Sequence, residues 1–408
     1  MMFILLIGVV LFNKFFYKSY LNPIFLQSVI WLIYYFFLFI NIKYYDVHIE
    51  AIQNFVVYQL IGFSLGGLLC CLFTKKNSVY KRILPEEHAN ELTLKNIIYI
   101  YPFVLVVLII SLFLIIKESG TISIFNIGNL RENLVEDDGK KYGSLGVIQL
   151  LISVYVIIFI GIKDAIKKNF FKFITILIPF LYFTLMLGSK GQFVFFFSAV
   201  LYLLSWSKRL NKSYLLFSGL LLVAILLGLT FLRLESDNTS YSFSKDSLAE
   251  LLLVYTVTSL PALSLIKFSS PKIFGYYTFR VIYVWLNKFG FAFPIAPVLS
   301  EYTLTPLPTN VYSYIKPYYH DFGLTGVFWL PFILGFLHNY FYFAANKGKL
   351  NYIIFASLLV YPLGMQIFEE NYFRQLSNWI YIFILILILT KVKIYDIWCS
   401  NSNIQSAT

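Results

Sequence analysis

The chain has little charge. Only 13% of its 408 residues are Asp, Glu, Lys or Arg, whereas 59% are hydrophobic. With a mean hydropathy of +0.75, the composition lies far outside that of soluble domains. The lipid bilayer is therefore the solvent in which this fold has to be understood.

Motifs of soluble chemistry are also missing. There is no Walker loop, no dinucleotide fingerprint, no nucleophile elbow and no Cys/His spacing typical of a metal site. This argues against an ATP-driven pump and a metalloprotease, and we expect no metal or cofactor. His48, His88 and His338 lack partners at ligand spacing, so we interpret them as structural.

Long apolar runs dominate what is present. Backbone polar groups inside a bilayer must be satisfied within the protein, so helices are the expected spanning elements. Since about 20 apolar residues cross the hydrocarbon, the sequence gives about eleven candidate spans. They lie at about 2–16, 22–40, 52–73, 97–116, 145–162, 173–188, 191–206, 214–232, 322–345, 352–368 and 377–391. We predict an all-α polytopic membrane protein with a single integral membrane domain, residues 1–408.

The positions of Lys and Arg predict the orientation. One set of connections holds eighteen basic residues against five acidic ones. Short loops rich in Lys and Arg stay in the cytoplasm, which places the C-terminus inside and the N-terminus outside. The net charge of +12 is then a topology signal and needs no nucleic acid. Cys70, Cys71 and Cys399 fall at or near the cytoplasmic side, so no disulfide is expected.

Two long loops, about 117–144 and 233–321, then face outward. The larger one contains two apolar stretches, about 248–268 and 273–297, each broken by proline or charge. Pro261 and Arg280 are unfavourable in a lipid-facing span, which favours short interfacial or re-entrant helices. One or two extra spans within 247–297 are the alternative.

Cations on the outward side are candidates for binding an anionic, sugar-bearing substrate, because Arg binds diphosphate oxygens through its planar fork. Arg280 lies in an apolar aromatic stretch and needs an anion, either a protein carboxylate or a ligand phosphate. Arg131 is followed by four acids, so an ion pair with Glu132 or Glu136 competes with a substrate role. Arg233 ends a span, where an interfacial cation is common.

A turn between two apolar segments, residues 188–192 (GSKGQ), offers a further cation. Lys190 could bind phosphate there, or it could be an interfacial lysine whose stem lies along apolar surface. Gln192 has a second interpretation as well, since an amide at a helix start is commonly a cap.

A second group of candidates precedes a late apolar span. Tyr318 and Tyr319 are followed by His320 and Asp321, and a carboxylate or imidazole at the membrane surface can act as general base for a sugar hydroxyl. The alternative is that Asp321 caps a helix beginning near Gly323.

A compact group of charges follows the next apolar run. Glu369, Glu370 and Arg374 form either a local salt bridge or part of a functional site.

Residues 309–326, TNVYSYIKPYYHDFGLTG, resemble the oligosaccharide repeat-unit polymerases, the Wzy-type O-antigen and capsule polymerases. Members of that family tend to show a TNVY start and a YxDFGxxG finish leading into a late span. The turn GSKG at 188–191 is similar to the family's Gly-Ser-Arg/Lys-Gly turn between central spans.

The resemblance implies a glycosyltransferase of the bacterial cytoplasmic (inner) membrane that uses undecaprenyl diphosphate-linked oligosaccharides. It would transfer the growing chain from its lipid carrier onto the next lipid-linked unit, without a nucleotide sugar, cofactor or metal. A chain-length regulator and a flippase in the same membrane are the implied protein partners.

The resemblance also suggests roles for the candidate residues. Arg131, Arg280 and Lys190 would stabilise the leaving lipid diphosphate. Asp321 or His320 would be the base for the acceptor hydroxyl. The expected substrate-binding residues are Lys190, Gln192, Arg233, Tyr318, Tyr319, Glu369 and Arg374.

Two other functions fit the same membrane topology. An O-antigen ligase would use the same donor with another acceptor, although the YxDFG stretch favours the polymerase. A lipid-linked oligosaccharide flippase or other transporter would usually show related halves and charges near the bilayer midplane, and the chain shows neither plainly.

Overall fold

The computed structural model describes residues 6–11, 13, 19–41, 43, 45, 49–74, 87–119, 140–187, 190–208, 257–266, 268, 273–298, 300–305 and 307–394. Within these ranges the protein is mostly helical, with one two-stranded hairpin. The candidate span 214–232 and the candidate residues Arg131 and Arg233 lie outside the described residues.

The described parts of the chain form helices and two short strands. In chain order they are α1 (Pro23–Asn41), α2 (Ile49–Phe73), α3 (Glu87–Ser119), α4 (Lys140–Gly161), α5 (Ala165–Lys168), α6 (Phe170–Met186), α7 (Lys190–Trp206), α8 (Ser259–Ser264), α9 (Arg280–Lys288), β1 (Thr303–Thr305), β2 (Leu307–Thr309), α10 (Ile315–Asn346), α11 (Leu350–Leu358), α12 (Val360–Met365) and α13 (Leu376–Lys391).

Apolar helices confirm that this is an all-α membrane protein. Among the described residues, five helical segments are long and apolar enough to cross a membrane: α1, α2, Asn90–Lys117 within α3, Gly143–Gly161 within α4, and α10. Shorter apolar helices cover Phe170–Met186, Lys190–Trp206, Leu350–Met365 and Leu376–Lys391. Nine predicted spans coincide with these elements, whereas the total of about eleven spans stays a prediction.

The chain forms two compact units. The first comprises Met1–Arg82, Ser242–Lys347 and Leu359–Ser377, and the second comprises Ile83–Tyr241, Gly348–Leu358 and Asn378–Thr408. Hydrogen bonds join α3, α4 and the end of α13 in the second unit. The Tyr155 hydroxyl donates to the Ile97 carbonyl at 2.8 Å, and the Asn96 amide donates to the carbonyls of Leu389 and Val392 at 2.9 and 2.7 Å.

In the first unit, α2 and α10 pack backbone against backbone. A Cβ added to Gly62 or Gly66 would overlap a backbone carbonyl oxygen of α10, and a Cβ on Gly335 would overlap a backbone carbonyl oxygen of α2. Gly62 and Gly66 are four residues apart and share a helix face, a spacing that allows close helix packing in membranes. This contact fixes α10, the helix that carries several candidate site residues.

Helix α10 is kinked at Gly323, whose φ of 62° and ψ of −152° suit a residue without a Cβ. The kink separates the segment 315–322 from the longer apolar remainder. A second helical segment begins at this kink, but the Asp321 carboxylate accepts from the backbone N–H groups of Tyr277 and Thr278, which lie outside α10.

The described parts of the two apolar stretches in the large loop contain short helices. Helix α9 has nine residues, a length of roughly 14 Å, and residues 273–279 and 289–298 around it are not helical. This is too short for an extra span, since the hydrocarbon core is about 30 Å thick. Helix α8 has six residues, all of them buried. Residues 248–256 lie outside the described ranges.

Tyr34 of α1 holds α8 in place. Its hydroxyl donates to the Val257 carbonyl at 3.0 Å and accepts from the backbone N–H of Leu260 at 3.0 Å. Buried backbone groups at the start of this short helix are thereby satisfied, which stabilises it despite its length.

Candidate functional site

A cavity of about 290 Å³ lies in the first unit beside the start of α10. Its wall includes Ala296 and Pro297, and Tyr277 and Tyr312 supply aromatic surface. The other polar side chains of the lining are Ser300, Glu301, Thr303, Lys316, His320 and Arg374. Among the described residues that line it, Glu301 is the one carboxylate, so positive charge exceeds negative charge in the cavity.

Two arginines, Arg374 in the cavity lining and Arg280 next to it, are tethered to one short segment, residues 296–298. Arg280 begins α9 and donates from Nε to the Ala296 carbonyl at 2.7 Å. Arg374 donates from Nη2 to the Val298 carbonyl. Asn287 fixes the chain three residues before Ala296. Its side-chain amide donates to the Phe293 carbonyl at 2.7 Å and accepts from the Phe293 N–H at 2.8 Å.

The guanidinium groups of Arg280 and Arg374 interact electrostatically. Burial, and then the positive charge of Arg374, lowers the pKa of Arg280 from its ordinary value. Within the described residues, neither arginine forms an ion pair with a carboxylate. The sequence suggested a protein carboxylate as one possible counterion for Arg280, and the described residues supply none. The expected salt bridge of Arg374 with Glu369 or Glu370 is not formed either.

The Asp321 carboxylate binds backbone N–H groups of another segment. Both oxygens accept from the N–H of Tyr277 at 3.1 Å, and Oδ2 accepts from the N–H of Thr278 at 2.7 Å. These amides belong to the turn that leads into Arg280, and Asp321 is only 8% exposed. The arrangement favours a positioning role for Asp321 over the predicted role as general base.

The Glu370 carboxylate likewise binds backbone N–H groups, here at the second arginine, Arg374. Its Oε1 accepts from the N–H of Tyr372 and Phe373 at 2.8 and 2.9 Å, and its Oε2 accepts from the N–H of Arg374 at 2.8 Å. The Tyr318 hydroxyl donates to Oε1 at 2.9 Å. Burial raises the pKa of Glu370, and these hydrogen bonds oppose that rise. A carboxylate held in this way fixes the backbone of Arg374.

Lys316 is a second cation in the cavity lining, and it was not among the candidates that the sequence suggested. Its Nζ lies 3.4 Å from the centroid of the Tyr312 ring, a cation–π contact. Glu301 and Arg374 both lie within electrostatic range of it. The sequence did contain a signal for Lys316. It precedes His320 by four residues, so the two side chains share a face of α10.

His320 lines the cavity, as its predicted role in the site requires. Its ring lies against that of Tyr277, with centroids 4.9 Å apart. Its Nδ1 is buried and has no hydrogen-bond partner among the described residues.

Three other described candidates, Tyr318, Tyr319 and Glu369, lie outside the cavity lining. Tyr318 is fully buried beneath its bond to Glu370, and the Tyr319 ring lies between Phe55 and Phe268, at centroid distances of 4.8 and 5.8 Å. Glu369 is exposed and does not line the cavity.

Lys190 and Gln192 belong to the second unit, at the start of α7. Gln192 has a buried Oε1 without a hydrogen-bond partner in the described structure. The rest of the predicted turn, residues 188 and 189, lies outside the described ranges. The binding roles of Lys190 and Gln192 stay predictions.

A buried polar network supports the site from within the first unit. The Gln366 side chain accepts from Trp31 Nε1 at 3.1 Å and donates to the Tyr372 hydroxyl at 3.1 Å, while its backbone carbonyl accepts from the N–H of Tyr314 at 2.9 Å. His338 Nε2 lies 3.0 Å from the Tyr372 hydroxyl. This connects α1, α10 and the segment before Arg374, and it gives His338 the structural role that the sequence predicts.

Comparisons with known proteins leave the chain without a match: no family model, no curated protein and no solved structure is similar to it. The chemistry of the site therefore carries the functional argument. The cavity lining offers two cations, an imidazole, one carboxylate and two aromatic rings, and a third cation, Arg280, is tethered to the wall at Ala296. This set suits an anionic sugar compound.

Proposed function

We propose that this protein is a membrane glycosyltransferase that polymerises undecaprenyl diphosphate-linked oligosaccharide repeat units into O-antigen, capsule or exopolysaccharide. The observation that carries the proposal is a cavity lined by Lys316 and Arg374, with Glu301 as the single carboxylate among its described lining residues. A third cation, Arg280, is tethered to Ala296 of the cavity wall. Arg280, Arg374 and Glu301 lie outside the motif that resembles the polymerases, so the cavity adds support of its own.

The cations suit the leaving group of such a reaction. When the bond from the sugar to the lipid diphosphate breaks, negative charge develops on the diphosphate, and preorganised donors stabilise that charge most effectively. Each arginine uses one nitrogen for its tether to a backbone carbonyl. The remaining N–H groups can bind phosphate oxygens in the planar geometry that a guanidinium favours.

The size of the cavity suits the head of the donor rather than the whole oligosaccharide. A volume of about 290 Å³ is at the lower end of the usual range for ligand pockets. Tyr277 and Tyr312 offer rings on which a sugar can stack. We therefore expect the diphosphate and the sugar next to it to enter, with the remaining sugars outside.

The proposed location is the outer face of the bacterial cytoplasmic membrane, with the N-terminus outside and the C-terminus in the cytoplasm. The distribution of Lys and Arg supports this orientation. The long apolar part of α10 begins directly after His320 and Asp321, which would place the cavity near the membrane surface.

The test is a gel of surface polysaccharide and lipid-linked intermediates from a strain lacking the gene, with and without the gene restored. For a polymerase, single repeat units reach the surface without a ladder, and the restored gene brings the ladder back. Polymer stranded on the lipid carrier would instead indicate a ligase. Repeat units trapped on the cytoplasmic leaflet would indicate a flippase, and either result would overturn the proposal.

A further inference from the structure

Three carboxylates are candidates for the base, and two of them, Asp321 and Glu370, are already engaged in hydrogen bonds to the protein. Asp321 accepts three hydrogen-bond contacts from the amides of Tyr277 and Thr278. Glu370 accepts three backbone N–H groups and the hydroxyl of Tyr318, and it is only 3% exposed. A carboxylate whose lone pairs are engaged by buried amides is poorly placed to accept a proton from a substrate.

Glu301 differs from both. It lines the cavity and is exposed, and its carboxylate accepts no hydrogen bond from any residue that the structure describes. Its backbone is nevertheless fixed, because its carbonyl accepts from the Tyr312 hydroxyl at 2.9 Å and the hydroxyls of Tyr312 and Thr303 are 2.6 Å apart. The Glu301 carboxylate is therefore free of hydrogen bonds to described residues, while the Glu301 backbone is held in place.

We infer that Glu301 is the general base of the reaction, which accepts the proton of the acceptor hydroxyl. This inference rests on the proposed function. The acceptor oxygen forms a bond to the anomeric carbon of the donor sugar, and the bond from that carbon to the diphosphate oxygen breaks. The hydroxyl proton passes to Glu301, and the electron pair of the broken bond leaves with the diphosphate, where the cations stabilise it.

Charge explains why this position fits the task. Lys316 lies within electrostatic range of both Glu301 and Arg374, and all three residues line the cavity. A donor diphosphate bound by the cations therefore brings its anomeric carbon into the cavity that the Glu301 carboxylate faces. His320 is the competing base, but its Nδ1 is buried and its ring lies against Tyr277.

The first experiment compares variants in the strain lacking the gene. Glu301→Gln keeps the size of the side chain and removes its basicity, so we expect the rate of polymer formation to fall by about 10²- to 10⁴-fold. Glu301→Asp should retain part of the activity. Glu50→Gln, an exposed glutamate on α2 outside the cavity, is the matched control and should leave the ladder unchanged.

A second measurement separates catalysis from folding and binding. Inorganic pyrophosphate is titrated calorimetrically into the full-length protein in detergent. Glu301→Gln should bind it at least as well as the unaltered protein, since a negative charge is removed. Formate added to membranes containing Glu301→Ala should restore polymer formation by replacing the missing base.

The outcomes are distinct. A normal ladder from Glu301→Gln, loss of its pyrophosphate binding, or no restoration by formate would overturn the assignment of Glu301. If the unaltered gene restores the ladder while Glu301→Gln does so too, only this inference fails. If the unaltered gene restores no ladder, the proposed function itself fails.

Discussion

Asp321 and Arg280 are linked through backbone and not through an ion pair. The Asp321 carboxylate binds the N–H groups of Tyr277 and Thr278, three and two residues before Arg280. Glu370 and Arg374 repeat this relationship, since the Glu370 carboxylate binds the N–H of Arg374. In both cases a buried acid positions an arginine without neutralising it, and an incoming anion meets an uncompensated cation.

The first prediction concerns Arg280. Arg280→Ala should abolish polymer formation and weaken pyrophosphate binding, because a donor to the diphosphate is lost; removal of one such donor typically lowers the rate by about 10²- to 10³-fold. Expression and membrane insertion should be intact. Lys288→Ala, at the exposed end of the same helix and outside the cavity, is the control. Normal polymer from Arg280→Ala would remove this residue from the mechanism.

The second prediction distinguishes two roles for Asp321. Asp321→Asn leaves one acceptor oxygen and places an NH₂ group against backbone donors, at a cost of about 1 to 3 kcal/mol in local stability. Amide hydrogen exchange in residues 273–279 should therefore become faster, together with reduced polymer formation. Loss of polymer with unchanged exchange would instead restore Asp321 as the chemical base.

The third prediction concerns the contact between Tyr318 and Glu370. Tyr318→Phe removes a hydrogen bond to a buried carboxylate, so the free energy of unfolding should fall by about 1.5 to 3 kcal/mol. In combination with Glu370→Gln, the two losses should be less than additive, as expected for residues in contact. Thermal unfolding in detergent measures this. Fully additive losses would show that the two side chains act independently.

The fourth prediction concerns the close packing of α2 and α10. Gly66→Ala places a methyl group against a backbone carbonyl of α10, and such overpacking typically costs about 1 to 3 kcal/mol. We expect a lower Tm in detergent. Gly364→Ala is the control, because a Cβ there meets open space. Equal Tm values for the two variants would mean that the helices can separate without cost.

The membrane helices could be predicted because their signal is local. Runs of about 20 apolar residues appear directly in the sequence, and α1, α2, α3, α4 and α10 follow them closely. The backbone conformation within α10 could not be read in this way. Gly323 lies within the helix at a kink, although a glycine after Asp321 also fits a helix start.

The candidate site was partly predictable. Arg280, His320 and Arg374 are conspicuous because charged or titratable groups are rare in this chain, and the structure brings them to one region. Lys316 had an available signal in its spacing from His320, whereas the importance of Glu301 comes from contacts across the fold. The role of Asp321 was equally hidden, since the amides that it binds are 43 and 44 residues earlier in the sequence.

The tethers of Arg280 and Arg374 end on Ala296 and Val298, carbonyls only two residues apart. Two residues span at most about 7 Å of chain, so covalent geometry limits how far these anchor points can separate. Because the spacing of their anchor points is limited, the two arginines suit the diphosphate, the part of the substrate that is the same in every reaction cycle. Variation among the sugars would then have to be accommodated elsewhere, at the open side of the cavity.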